Sequence, residues 1–191
     1  MPIVVSTKSK SLLSEASSSD CPAPMSRQAG EEIAKRLAGA RKPGDAALTS
    51  GCGVIAYTWN LQAGTILGQF VLAMYEGNIA TETGIKVAGT PGQLAGTYAI
   101  QTYTNTGALF AQGLLILEPV GTNGAYAVKY ILDPVDPTAL GYVPGTLLFY
   151  DAIGYQTQNP PSLSVAWDND LYTRNIGTGL KEWGYRLVSP T

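Results

Sequence analysis

Five aspartates in the second half of the chain are the residues whose types and spacing could support catalysis. They are Asp133, Asp136, Asp151, Asp168 and Asp170. Two carboxylates about 5–10 Å apart can serve as the acid and the base of glycoside hydrolysis. However, Asp133 and Asp136 each precede a proline, and Asp before Pro is typical of a turn. A small hydrolase with paired carboxylates is therefore one alternative, and the spacing favours turns.

Other catalytic and cofactor-binding patterns are missing from the sequence. The chain has 191 residues and no histidine, which is the commonest general base and the commonest zinc ligand. Asp168-Asn169-Asp170 is not followed by the further acidic ligands of a calcium loop. There is no phosphate-binding GxxxxGK[ST] loop, and residues 121–124 lack the strand-then-helix context of a dinucleotide site. We therefore predict no catalytic residue, no metal and no cofactor, and expect that the protein is not an enzyme.

Aromatic residues provide a second alternative. The chain contains 3 tryptophans and 11 tyrosines. Trp59, Trp167 and Trp183, with some of the tyrosines, could stack against sugar rings in a carbohydrate-binding β-sandwich or fibre module. Aromatic side chains more often fill β cores and protein interfaces, where both the ring and the polar group find partners. An exposed pair of rings beside polar groups would favour sugar binding, whereas buried rings would favour assembly.

Charge is sparse and unevenly distributed. Charged residues make up 14% of the chain, against about a quarter in an average protein, and the net charge is −2. This balance argues against a nucleic-acid binder that works by bulk charge alone. Residues 1–45 nevertheless contain seven basic and five acidic residues, against five and nine in the remainder. The residues that could face RNA are Lys8, Lys10, Arg27, Lys35, Arg36, Arg41 and Lys42.

This asymmetry divides the chain into an N-terminal arm, residues 1–45, and a domain formed by residues 46–191. Within the arm, we predict a short helix between Ser26 and Ala40, with Ser26 as the N-cap. Ala29, Ile33 and Leu37 recur at intervals of four residues and would form a narrow apolar stripe. Because so thin a stripe cannot hold a helix alone, we expect the helix to dock on a larger surface.

The domain is predicted to be all-β. Short runs of strand-forming residues alternate with turn signals every 8 to 15 residues, which is typical of an antiparallel sandwich or barrel. We predict an antiparallel β-sandwich and expect a type I′ hairpin at Asn123-Gly124. The predicted strands are residues 54–61, 65–75, 84–88, 97–104, 108–118, 125–132, 146–153, 163–167 and 183–188.

Two stretches resemble jelly-roll coat proteins of small, non-enveloped, picorna-like plant RNA viruses. In residues 108–121, Phe110 precedes the Gln112-Gly113 pair and an apolar strand that ends at Pro119. In residues 59–70, Trp59 precedes a Gly-Thr-x-Leu step and Phe70, which is similar to the early strand pair of the same proteins. The resemblance implies a jelly roll of about eight strands with an N-terminal arm.

The same resemblance implies a structural protein of the virion. Such a subunit would assemble with copies of itself, and with related coat subunits, into an icosahedral shell that encloses RNA. The low charge fits this expectation, because the cores of protein interfaces are depleted of charged residues. No membrane partner is expected, since the longest strongly apolar run, residues 70–75, is far shorter than the roughly 20 residues that span a bilayer.

Overall fold

The computed structural model of the protein describes residues 22–40, 52–72, 79–135 and 146–168. They form one helix and eight strands: α1 (Arg27–Leu37), β1 (Cys52–Asn60), β2 (Thr65–Leu72), β3 (Ile79–Ala88), β4 (Gly96–Tyr103), β5 (Leu109–Val120), β6 (Ala125–Pro134), β7 (Leu148–Gln158) and β8 (Pro161–Asp168). Eight of the nine predicted strands are confirmed in position. The ninth, residues 183–188, lies outside the described residues.

The eight strands close into a single antiparallel barrel. Each strand pairs with the next along the chain, and β8 pairs with β1, where Leu163 lies opposite Tyr57. The all-β, antiparallel prediction is confirmed. The described strands do not show the predicted jelly-roll order, in which strands distant in sequence lie side by side in two sheets. A sequence of short strands separated by turns fits both a barrel and a jelly roll. The alternation of apolar and polar residues determines which face of a strand is buried, but it does not determine which strand lies beside it.

The inside of the barrel differs between its two ends. We call the end with the loops after β1, β3, β5 and β7 the packed end, and the opposite rim the cavity end. Leu117, Tyr126 and Leu163 fill the packed end, and the Tyr98 hydroxyl there donates a 2.8 Å hydrogen bond to the carbonyl of Leu94. The buried core continues to the cavity end, where Phe70, Leu132 and Leu148 belong to the same cluster.

Helix α1 packs on the outside of the barrel. The Ser26 hydroxyl oxygen accepts a hydrogen bond from the Ala29 amide at 3.2 Å, so the predicted N-cap is confirmed. Ile33 and Leu37 are buried and Ala29 is half-buried, against β3, β4 and β5 through Ile85, Ala99 and Leu114. The predicted docking is therefore confirmed. The division of the chain near residue 45 stays a prediction, because residues 41–51 lie outside the described ranges.

The predicted hairpin at Asn123-Gly124 connects β5 and β6. Val120 pairs with Ala125, so the connection is a loop of residues 121–124 and not a two-residue turn. Gly121 and Gly124 both have positive φ, 66° and 82°, a conformation that glycine adopts without steric cost. Among the described residues, no helix has the length and hydrophobicity to cross a membrane.

Candidate functional site

A small cavity lies inside the barrel, toward its cavity end. Its volume is about 50 Å³, which exceeds the space that one water molecule needs. All eight strands contribute to its wall, and most of the wall is apolar or aromatic. The lining residues are Ile55, Phe70, Glu82, Thr102, Phe110, Tyr130, Leu132, Tyr150 and Trp167. Glu82 is the one carboxylate among the described lining residues.

Glu82 is held by hydrogen bonds from two other strands. The Tyr57 hydroxyl lies 2.5 Å from Glu82 Oε1, and the Thr102 hydroxyl donates to Glu82 Oε2 at 3.1 Å. The hydroxyls of Tyr57 and Tyr130 are 3.0 Å apart. Glu82 is 3% exposed, Tyr57 1% and Tyr130 6%. Four polar side chains from β1, β3, β4 and β6 therefore form one hydrogen-bonded group that is shielded from water.

Burial changes the acidity of these groups. Loss of hydration raises the pKa of Glu82 from 4.5 to about 7, although the hydrogen bonds from Tyr57 and Thr102 favour the carboxylate and act in the opposite direction. Burial, together with the neighbouring Glu82 charge, raises the pKa of both Tyr57 and Tyr130 well above 10. Near neutral pH the group can gain or lose a proton at Glu82, while both phenols keep theirs.

Trp167 adds an indole to the same wall. Its ring centroid lies 6.0 Å from that of Tyr130 and 6.3 Å from that of Tyr150, with tilted and edge-on geometries. The buried Trp167 Nε1 has no hydrogen-bond partner among the described residues. Because a buried donor without a partner costs about 1–3 kcal/mol, the indole is suited to donate to a bound acceptor.

A second inward-facing charge on β3 has its partners at the packed end. Lys86 Nζ donates to the carbonyls of Ala95 (2.9 Å) and Thr90 (3.3 Å), and also to the carbonyl of Gln93. It also lies 5.2 Å from the centre of the Tyr98 ring, a cation–π geometry. Burial lowers the Lys86 pKa. These hydrogen bonds hold the β3–β4 loop against Lys86 at the packed end.

The basic residues predicted to face RNA are placed only in part. Arg27 forms a 3.1 Å ion pair with Glu31 on the same helix. Arg36 contacts Asp133, and its Nη2 lies 3.2 Å from Gln112 Oε1 on the barrel. Lys35 is exposed on α1. The other four, Lys8, Lys10, Arg41 and Lys42, lie outside the described residues, and RNA contact stays a prediction.

Of the predicted carboxylates and stacking tryptophans that the structure describes, only Trp167 lines the cavity. Asp133 lies at the end of β6 beside Arg36, Asp151 belongs to β7, and Asp168 ends β8. Trp59 packs against the core as a half-buried residue, while Trp167 lines the cavity. Asp136, Asp170 and Trp183 lie outside the described residues. The described tryptophans are thus half-buried rings and do not form an exposed pair.

Sequence reasoning did not identify Glu82, Tyr57, Thr102 or Tyr130 as a site. The signal is present in β3, whose inward positions are Ala80, Glu82, Gly84 and Lys86. A strand that keeps charged residues on one face and apolar ones on the other is usually interpreted with its apolar face inward. In this barrel the apolar face of β3 includes Ile85 and Val87, which are covered by α1.

The outer surface of β1, β2 and β8, together with the neighbouring Ile79 of β3 and Tyr155 of β7, has a different character. The 25 residues of β1, β2 and β8 contain one charged residue, Asp168. Val54, Ile79 and Tyr155 are each more than half exposed, at 56%, 58% and 58%. A groove of about 600 Å³ runs between these strands. We call this region the uncharged face.

We also searched the described residues for a metal site and compared the chain with known proteins. Among the described residues, no three His, Cys, Asp or Glu side chains lie close enough together to hold a metal ion. The polar groups on the cavity wall are carboxyl, hydroxyl and indole groups. No protein-family model, curated protein or solved structure matches this chain.

Proposed function

We propose that the protein binds a small neutral molecule inside the barrel, where the ligand contacts the hydrogen-bonding group at Glu82. The observation that supports this proposal most strongly is that Glu82, Thr102 and Tyr130 lie on the wall of a cavity that is mostly apolar. Small-molecule sites are typically apolar, with a few placed polar groups that fix the orientation of the ligand. Eight-stranded barrels have an interior that can hold one small ligand.

The polar group is difficult to explain as a support for stability. Burying a carboxyl group costs free energy, and its hydrogen bonds recover only a part of that cost. An apolar residue of similar size at position 82 would fill the barrel without this cost. A ligand that uses the group provides a reason for its presence.

Acetone and 2-methylpropene are suitable probes, because they have similar shapes and differ in the carbonyl oxygen. Four heavy atoms bind with at most about −6 kcal/mol, so the titration should extend into the millimolar range. We expect both probes at pH 6 to shift the NMR signals of the Trp167 indole and the methyl groups of Ile55 and Leu132. Signals of Leu117, at the packed end, should stay unchanged.

Phe110→Trp tests the location of binding. Phe110 is a half-buried lining residue, and the larger indole should reduce the affinity for both probes. Phe149→Trp is the matched control, because Phe149 is also half-buried and is not among the lining residues. If neither probe shifts the cavity signals, or if both variants weaken binding equally, the proposal is wrong.

A second candidate is the self-assembling coat protein that encloses viral RNA. The uncharged face supports it, because interface cores are depleted of charge and large exposed apolar patches mark interaction sites. The jelly-roll form of this proposal depends on the sequence resemblance and has no support from the strand order. The seven basic residues of the arm would be the RNA contacts in this candidate.

The mass of the full-length chain in solution tests self-assembly. If this candidate holds, light scattering should give a mass many times the 20.1 kDa of one chain. Val54→Glu should then reduce the mass, because it places a charge on the uncharged face. Val135→Glu is the control, since Val135 is similarly exposed, at 53%, and follows β6. A single-chain mass at high concentration would rule the candidate out.

A further inference from the structure

Glu82, Tyr57 and Tyr130 form a chain of hydrogen bonds with two possible directions. Tyr57 lies in the middle, 2.5 Å from Glu82 Oε1 and 3.0 Å from the Tyr130 hydroxyl. Glu82 and Tyr130, the two ends, both line the cavity. Each phenol has a single hydrogen to donate, so the direction of one hydrogen bond determines the direction of the next.

With Glu82 ionised, the chain runs toward the carboxylate. A carboxylate can only accept hydrogen bonds, so Tyr57 must donate its hydrogen to Glu82. Tyr130 then donates to the Tyr57 oxygen and has no hydrogen left for the cavity. A ligand with an acceptor atom would meet only lone pairs at Tyr130, unless the bond between the two tyrosines were broken.

With Glu82 protonated, the chain can run the other way. The carboxylic acid donates from Oε1 to Tyr57, Tyr57 donates to Tyr130, and Tyr130 can donate into the cavity. Thr102 continues to donate to Glu82 Oε2, so every hydrogen of the group except that of the Tyr130 hydroxyl keeps an acceptor within it. A ligand acceptor then completes the chain at Tyr130, and the Trp167 indole of the same wall offers a second donor.

We propose that this chain is a reversible relay that makes the cavity selective for a neutral, largely apolar ligand with a hydrogen-bond acceptor such as a ketone or aldehyde oxygen. Binding such a ligand at high pH would take up one proton from the solvent, which is retained on Glu82. The inference rests on the proposed function and deepens it, since it names the ligand class and makes binding depend on pH.

The surroundings of Glu82 support a switch near neutral pH. Besides Glu82, the titratable groups that line the cavity from the described strands are the phenols of Tyr130 and Tyr150, and Tyr57 contacts Glu82 directly. None of these phenols is cationic at any pH. Lys86 lies on the same face of β3, but four residues farther along, or about 13 Å, and is bound to loop carbonyls. Burial is therefore the main influence on Glu82 and raises its pKa to about 7.

The dissociation constants of acetone and 2-methylpropene, measured at pH 6.0 and pH 8.5, test the relay. If acetone binds only with Glu82 protonated, its dissociation constant should rise about 30-fold over this range. The dissociation constant of 2-methylpropene, which accepts no hydrogen bond from Tyr130, should stay constant. Calorimetry of acetone at pH 8.5 in buffers with different ionisation enthalpies should show the uptake of about one proton.

Two variants separate the relay from a general effect of pH. In Glu82→Gln, the amide oxygen can accept from Thr102 while the amide nitrogen donates to Tyr57, so acetone should bind at both pH values with the pH 6.0 affinity of the unaltered protein. Tyr130→Phe removes the terminal donor, so acetone at pH 6.0 should bind about tenfold more weakly. Tyr126→Phe removes a partly buried hydroxyl at the packed end, which donates to Gln156. It should leave the dissociation constant of acetone unchanged at both pH values.

The outcomes distinguish the two proposals. Acetone binding that is equal at both pH values, with 2-methylpropene also bound, would overturn the relay and leave the binding function intact. Equal pH dependence for both probes, or pH dependence that persists in Glu82→Gln, would likewise overturn it. Failure of both probes to bind would overturn the binding function and the relay with it.

Discussion

Tyr57 on β1 and Glu82 on β3 meet inside the barrel at 2.5 Å, although a whole strand separates β1 from β3 in the sheet. Both side chains are almost fully enclosed, at 1% and 3% exposure. Tyr57 and Glu82 lie in one cross-strand row, because each is paired with Gly68 of β2. The Tyr57 ring lies over this glycine, where an added Cβ would be 2.7 Å from Tyr57 Cε1. Glycine at position 68 therefore leaves room for the pair, and the enclosed interior of the barrel keeps out the water that would otherwise hydrate the carboxylate.

The free energy of unfolding should fall as pH rises through neutrality. Burial raises the pKa of Glu82 from 4.5 to about 7, so the folded protein holds a proton that the unfolded chain releases. The associated stability is fully present below pH 4.5 and is lost as pH rises through 7, with a total loss of ~3 kcal/mol. Urea unfolding at several pH values between 4.5 and 8.5 measures this loss.

Glu82→Gln is the control for that pH dependence. The amide does not titrate, so the variant should lack the part of the decline that belongs to Glu82. The curves of the two proteins should therefore converge at low pH and separate at high pH, where the variant is the more stable. Parallel curves would show that Glu82 does not cause the decline.

Removing the Tyr57 hydroxyl should raise the pKa of Glu82 further. The hydroxyl donates to the carboxylate and so favours the ionised form. In Tyr57→Phe this support is lost while the surroundings stay buried. Carbon-13 NMR of the Glu82 carboxyl group should show a midpoint above that of the unaltered protein, whereas Tyr126→Phe should leave it unchanged. A midpoint that stays constant or falls in Tyr57→Phe would contradict the hydrogen-bond geometry.

Two threonines on neighbouring strands should respond in opposite ways to substitution by valine, which has nearly the same shape. Thr83 Oγ1 is buried and has no hydrogen-bond partner among the described residues, so Thr83→Val should stabilise the protein by about 1 kcal/mol. The Thr102 hydroxyl donates to Glu82, so Thr102→Val should destabilise it by about 1–2 kcal/mol, and more at pH 8 than at pH 5. Urea unfolding at both pH values measures the two effects. Stabilisation by both substitutions would show that neither hydroxyl has a useful partner.

Much of the local structure could be predicted from the sequence. Glycine, proline and asparagine mark the ends of the strands because their backbone conformations suit turns, and Ser26 marks the start of α1 because its hydroxyl can accept from the helix amides. The strand at Leu109–Val120 lies where the run of strand-forming residues at 108–118 predicts one. These features depend on near neighbours in the chain, and near neighbours are visible in a sequence.

The closure of the barrel and the position of Glu82 depend on distant contacts. The pairing of β8 with β1 joins residues more than one hundred positions apart, and no local pattern specifies it. On β3, Ile85 and Val87 form an apolar face that is covered by α1, so hydrophobicity alone assigns the wrong face to the interior. The predicted strand of residues 84–88 begins after Glu82, whereas the observed β3 begins at Ile79 and includes it.

Gly30→Ala tests how closely α1 approaches the barrel. In most helices this substitution stabilises by about 0.5–1 kcal/mol, because glycine loses more conformational freedom on folding. Here an added Cβ would lie 2.5 Å from Ile85 Cγ2 and 3.3 Å from Ala99 Cβ, so we expect a destabilisation of about 1–3 kcal/mol. Thermal or urea unfolding measures it, and Gln28→Ala, at an exposed position of the same helix, should be nearly neutral.

Because Ile85→Ala removes the clashing methyl group, Gly30→Ala should cost less in the Ile85→Ala background than in the unaltered protein. Equal costs in both backgrounds would show that the helix does not lie against Ile85 at this distance.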